Sequence, residues 1–118
     1  MRLLMVCTGI VGFLAVALGA FGAHGLEGRL SAEAQGWWAT ATLYALVHAA
    51  GALAIALANK EKRLAPAGWA FVIGAIIFSG SLYALALGAP RVLGAVTPVG
   101  GVGFLTGWAL VIWRSARK

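Results

Sequence analysis

The sequence predicts an all-α membrane protein, a four-transmembrane-helix bundle with short loops and both termini cytoplasmic. Three observations predict it. Of 118 residues, 62% are hydrophobic and only 10% charged, whereas a water-soluble domain is about a quarter charged. All charges lie outside four uncharged stretches, residues 3–26, 34–59, 64–90 and 92–113; a helix needs about 20 apolar residues to cross the hydrocarbon core. Finally, Arg2, Lys60, Lys62, Arg63, Arg114, Arg117 and Lys118 fall on one side of the resulting topology, and only Arg29 and Arg91 on the other. That asymmetry places the basic side in the cytoplasm. Backbone groups in lipid must be paired within their own segment, so the stretches read as helices rather than strands. A disulfide scaffold is excluded by a single cysteine, Cys7.

The chain reads as one domain, residues 1–118, with helices at about 3–23, 37–58, 67–88 and 97–113, bounds good to about three residues. The first helix follows Arg2 and is too long for the usual signal-peptide core of about 7–15 residues. It is therefore expected to be retained, with Cys7 as a small packing residue. The first connection carries Glu27, Arg29 and Glu33. Within it Ser31 is placed to cap a helix beginning at Ala32, with Glu33 favourable in its first turn. Trp37 and Trp38 read as an interfacial belt at that end of helix 2. Trp69 and Trp113 do the same at the opposite end. The second connection is the basic run Lys60-Glu61-Lys62-Arg63. The third, around Pro90 and Arg91, is mostly apolar and expected at the interface. Thr97-Pro98 reads as a helix start, with Thr as cap and Pro at the first helical position.

Helix association in lipid depends on close backbone approach. Small residues recur every fourth position: Ala15, Gly19 and Ala23; Ala41, Ala45 and Ala49; Gly80, Ala84 and Gly88; Gly103 and Gly107. These stripes suggest a compact bundle, with some faces left for a homo-oligomer or a larger membrane complex.

Polar residues at membrane depth are the candidate site. Thr40, Tyr44 and His48 recur at every fourth position of helix 2, with His48 near mid-span. Ser79, Ser81 and Tyr83 lie on helix 3 and Thr106 on helix 4. Equal depth suggests a His48–Ser79–Thr106 hydrogen-bond cluster. An imidazole in hydrocarbon needs a partner. The site reads either as interhelical glue or as a proton-responsive or ligand-contacting pocket, and the residues alone leave both open. His24 lies about 16 Å shallower than His48 at 1.5 Å per residue, and no carboxylate or thiol shares His48's depth. No cofactor is therefore expected: neither bis-histidine haem nor a metal site fits. No nucleophile–base–acid set is present either, so the chain is not expected to be an enzyme. The basic excess is accounted for by orientation, so no nucleic-acid partner is expected. Membrane lipids are.

Several separated motifs carry a resemblance. Gly19-Ala20-Phe21-Gly22-Ala23-His24 closes helix 1, and Gly36-Trp37 with Thr40, Tyr44 and His48 opens helix 2. Phe78-Ser79-Gly80-Ser81-Leu82-Tyr83 lies in helix 3. Thr97-Pro98-Val99-Gly100-Gly101 leads to Phe104-Leu105 and Gly107-Trp108. In this order they resemble the YgdD-like family of small bacterial integral membrane proteins, catalogued as domain of unknown function 423. The resemblance covers nearly the whole chain. It implies a four-helix protein of the bacterial inner membrane and marks His24, Tyr44, His48, Ser79, Ser81, Tyr83 and Thr97 as motif positions. It implies no activity. The leading expectation is a non-enzymatic structural or accessory membrane component acting by association. A small channel or transporter with a polar site around His48 is the first alternative, although Glu27, Glu33 and Glu61 all lie in loops and none sits in the membrane to exchange protons. A lipid-binding membrane protein is the second.

Overall fold

The computed structural model describes residues 1–58 and 62–117. Lys60 and Glu61 of the expected basic loop, and Lys118, lie outside the described residues. Four long helices are present: α1 (Arg2–His24), α2 (Ala32–Ala58), α3 (Ala65–Ala86) and α4 (Thr97–Ala116). All four are long and apolar enough to cross a membrane. A short 3-10 helix, Arg91–Ala95, fills the last connection.

Each start has a local cause. The Ser31 hydroxyl oxygen accepts the Ala34 backbone N–H at 3.0 Å, so α2 begins well before the apolar run and projects beyond it. Pro66 and Pro98 sit in the first turns of α3 and α4, where a missing N–H costs nothing. Thr97 is not the cap of α4. The helix takes it in as its first residue, after Val96 in right-handed helical geometry, and its hydroxyl is drawn instead to α3. Gly88, in left-handed backbone at φ 102°, turns the chain just past the end of α3.

The helices run up and down. α2 and α3 form the centre, α1 packs on α2 and lightly on α3, and α4 packs on α3. α1 and α4 are flanking helices that do not pack on each other, so the bundle is open rather than square. Its long dimension is 51 Å. At the end that carries the termini, Leu4, Ala52, Ile55, Ala67, Phe71 and Val72 form the core, with Cys7 half-buried against it. At the opposite end, Leu26 from the first connection closes over Ala34, Trp38 and Ala86.

Small residues do set the helix spacing, but only some of those the stripes point to. Ala41, Ala45 and Ala49 are all buried on α2, and Ala15 on α1. Gly22, not the exposed Ala23, continues the α1 contact: its missing side chain leaves the recess that the Trp38 indole fills. On α3 the expected stripe faces outward. A Cβ on Gly80 or Gly88 would meet open space. The close approach comes from the other side of that helix, where Gly74 faces Gly103 of α4 backbone to backbone. A Cβ on Gly100 would run into the Phe78 main chain. Trp38 likewise departs from the interfacial belt. It is buried, and its indole N–H donates to the Leu18 carbonyl of α1 at 2.7 Å.

Candidate functional site

His48 is 5% exposed, near the middle of α2. Its Nδ1 bonds to the Tyr44 carbonyl oxygen one turn earlier at 2.8 Å. Its Nε2 bonds to the indole Nε1–H of Trp108, on α4, at 3.1 Å. An indole N–H only donates and a carbonyl only accepts. The imidazole must therefore carry its proton on Nδ1 and offer its Nε2 lone pair to Trp108, which fixes the neutral Nδ1–H tautomer.

The ring is enclosed by aromatic side chains. Phe104 stacks on it with centroids 3.7 Å apart and planes 14° from parallel. Phe71 meets it edge-on at 5.2 Å, and Trp108 packs on Phe71 at 4.7 Å. Tyr44 continues the row, 4.9 Å from Phe78 and 6.0 Å from Phe104. α2, α3 and α4 each contribute to this block. The glycines Gly100 and Gly107, which let α4 lie close to Phe78 and Phe71, make room for it.

The remaining residues of the proposed cluster are elsewhere. Ser79 is buried and donates to the Ala41 carbonyl at 2.7 Å, clamping α3 to α2 without reaching His48. Ser81 donates to the Phe78 carbonyl at 2.9 Å and shares a short bond with the Thr97 hydroxyl. Its single proton is spent on Phe78, so Thr97 is the donor, and the pair ties α3 to the start of α4. The Tyr83 and Thr42 hydroxyls share a bond of 2.6 Å, joining α3 to α2. Thr106 is exposed and turns its hydroxyl back onto the Val102 carbonyl of its own helix at 2.8 Å. Thr40 is exposed as well, and so is His24 at the last position of α1. The structure thus breaks the expected His48–Ser79–Thr106 cluster into separate interhelical bonds, because Thr106 faces away from α2 and Ser79 finds a backbone acceptor nearer than the imidazole.

Three residues that sequence reasoning assigned no such role take part: Trp108, Thr42 and Trp38. Trp108 and Thr42 each lie two positions from a residue of the expected site, Thr106 and Thr40. At 100° per residue this is about 200° round the helix, the opposite face. Among the described residues, no group of three or more His, Cys, Asp or Glu side chains is arranged to hold a metal ion.

An open bundle of four apolar helices, whose buried polar side chains join helix to helix, defines a small multi-pass membrane protein. Comparison with known proteins makes this particular. The family described as "Protein of unknown function (DUF423)" matches residues 18–101. The chain is similar to the UPF0382 inner membrane protein YgdD of Escherichia coli K12, 43% identical over 98% of this chain and 91% of the relative. It is 40% identical to the UPF0382 membrane protein YwdK of Bacillus subtilis, over 95% of this chain and 94% of that one. A UPF0382 membrane protein of Staphylococcus epidermidis is 43% identical over 95% and 93%. The chain belongs to this DUF423, or UPF0382, family of multi-pass inner-membrane proteins. No solved structure matches it.

Proposed function

We propose that the protein is a non-enzymatic component of the bacterial cytoplasmic membrane that acts by association, with both termini in the cytoplasm. The observation that carries this reading is the state of His48. Both ring nitrogens are bonded inside the protein and one ring face is covered by Phe104. A transported ion or a reacting group would need at least one of these positions. Ser79, Ser81, Thr97, Thr42 and Tyr83 are likewise engaged with neighbouring helices, the use expected of intramembrane hydroxyls that hold a bundle together.

The flanking helices support association. Phe13 on α1 and Leu105 and Ile112 on α4 are more than 70% exposed, and α1 and α4 leave each other's sides uncovered. The basic bias of Arg2, Lys62, Arg63, Arg114 and Arg117 supports the orientation. Crosslinking in intact membranes, followed by purification in mild detergent and light scattering, tests the proposal. A complex larger than one chain is expected, whether with itself or with other membrane proteins. A strictly monomeric chain without crosslinked neighbours would overturn it, as would ion flux in proteoliposomes that disappears in His48→Ala. Reporter fusions to the two ends test the orientation, with both expected on the cytoplasmic face.

A further inference from the structure

We infer that the end of the bundle carrying the termini holds a specific site for the phosphate headgroup of an anionic phospholipid, built on Arg63 and Arg114. The two arginines clasp each other's backbone. The Arg63 guanidinium donates to the Arg114 and Arg117 carbonyls at 2.7 and 2.8 Å, and Arg114 donates to the Arg63 carbonyl at 2.8 Å. These bonds take up open carbonyls at the C-terminus of α4 and fasten it to the start of α3. They also hold both guanidinium groups at this junction, and they use three N–H···O bonds of the ten that two guanidinium groups can donate. The next basic residue, Arg117, sets its guanidinium 4.6 Å from the Trp113 ring.

A cluster of guanidinium groups attracts an anion. The ion pair Arg91–Glu33 lies at the opposite end of the bundle. Helix-end carbonyls offer only partial charge. A phosphodiester suits such donors, since planar guanidinium forks match phosphate oxygens in pairs.

The surroundings choose a lipid over a free anion. Between the ends of α2, α3 and α4 lies a cleft of about 180 Å³, lined by Ile55, Ala58, Leu64, Arg63, Arg114 and Ser115. The basic rim is therefore continuous with an apolar wall, the pairing of surfaces that a headgroup and the first carbons of its acyl chain require. Trp113, half exposed beside it, marks headgroup depth. This inference rests on membrane insertion alone, and holds whether or not the chain assembles with others.

The test uses the full chain in nanodiscs of phosphatidylcholine with a minority of phosphatidylglycerol, extracted in mild detergent and weighed by native mass spectrometry. Selective retention of phosphatidylglycerol is expected. Arg114→Gln keeps both Arg63 bonds to the α4 backbone and should lower that retention more than about tenfold, since the charge-assisted hydrogen bonds of a guanidinium fork are lost along with the charge. Lys62→Gln removes a charge nearby without touching the clasp and should lower it no more than about fivefold, the factor a basic residue carries by diffuse attraction at an anionic surface. Equal losses in the two variants would mean diffuse attraction and overturn the site, as would retention without headgroup preference in the unaltered chain. Excess inorganic phosphate should leave retention unchanged; displacement would assign the site to free phosphate instead. Circular dichroism checks the fold of each variant. If Arg114→Gln unfolds, Arg114→Lys, which keeps the charge and loses the fork, replaces it, and undiminished retention there would overturn the proposal.

Discussion

Trp108 on α4 donates its indole N–H to Nε2 of His48 on α2 across 60 residues of sequence, at 3.1 Å. This bond crosses the face of α3, whose Phe71 ring packs against both partners. It is the point at which three helices become mutually dependent. α2 and α4 have little backbone contact, so their relation is set by these two side chains and by Phe104 stacked on the imidazole.

Because Tyr44 offers only an acceptor and Trp108 only a donor, His48 is expected in one neutral form, with the proton on Nδ1. Nitrogen-15 chemical shifts of the labelled imidazole in bilayers read this directly. A spectrum showing the Nε2–H tautomer would contradict the arrangement described here.

Trp108→Phe removes the donor and keeps most of the aromatic packing. A loss of about 1 kcal/mol is expected in unfolding from mixed micelles, within the range of polar interhelical contacts in membranes. His48→Ala should cost more, about 3 kcal/mol, since it also empties an aromatic site. The double mutant should then be less destabilised than the sum of the two, by roughly 0.6 kcal/mol, the usual coupling for such bonds. Strict additivity would show that the bond contributes nothing.

The existence and order of the helices were legible because the charges are confined to five short regions, a pattern that depends on length alone. The Ser31 cap of α2 was legible too, being a local event, although the span expected from the apolar run began later, at 37. What could not be read was which way each helix faces. A helix apolar all round carries no phase in its hydrophobic pattern, so depth was the only coordinate that Thr106 and Thr40 offered. Depth places Thr106 opposite His48; azimuth places Trp108 there instead. The same blindness put the packing glycines of α3 at Gly80 and Gly88, when the face toward α4 carries Gly74. The Thr97 cap failed for another reason, because a tertiary partner, Ser81, competes for the hydroxyl.

The glycine assignment can be measured. Gly100→Val should force α4 away from Phe78, cost at least about 2 kcal/mol by overpacking, and shift the His48 resonances through loss of the Trp108 bond. Gly80→Ala meets open space and should be neutral or stabilising by about 0.5–1 kcal/mol, the backbone entropy saved in a helix. If Gly80→Ala were the more damaging of the two in thermal melts in detergent, the outward placement of that face would be wrong.

Thr8 is the one buried side chain among the described residues whose hydroxyl has no hydrogen-bond partner. It is 3% exposed and lies one turn from Leu4 on the buried face of α1. A buried hydroxyl without a partner costs about 1–3 kcal/mol, and Val fills nearly the same space without that penalty. Thr8→Val should therefore stabilise the protein by about 1 kcal/mol. Thr106→Val is the matched control: that hydroxyl is satisfied by its own helix on an exposed face, so the change should fall within about 0.5 kcal/mol of zero. Unfolding midpoints of the two variants in one detergent decide the matter. Destabilisation by Thr8→Val would mean that the hydroxyl has a partner in the membrane, and that α1 sits differently on its neighbours.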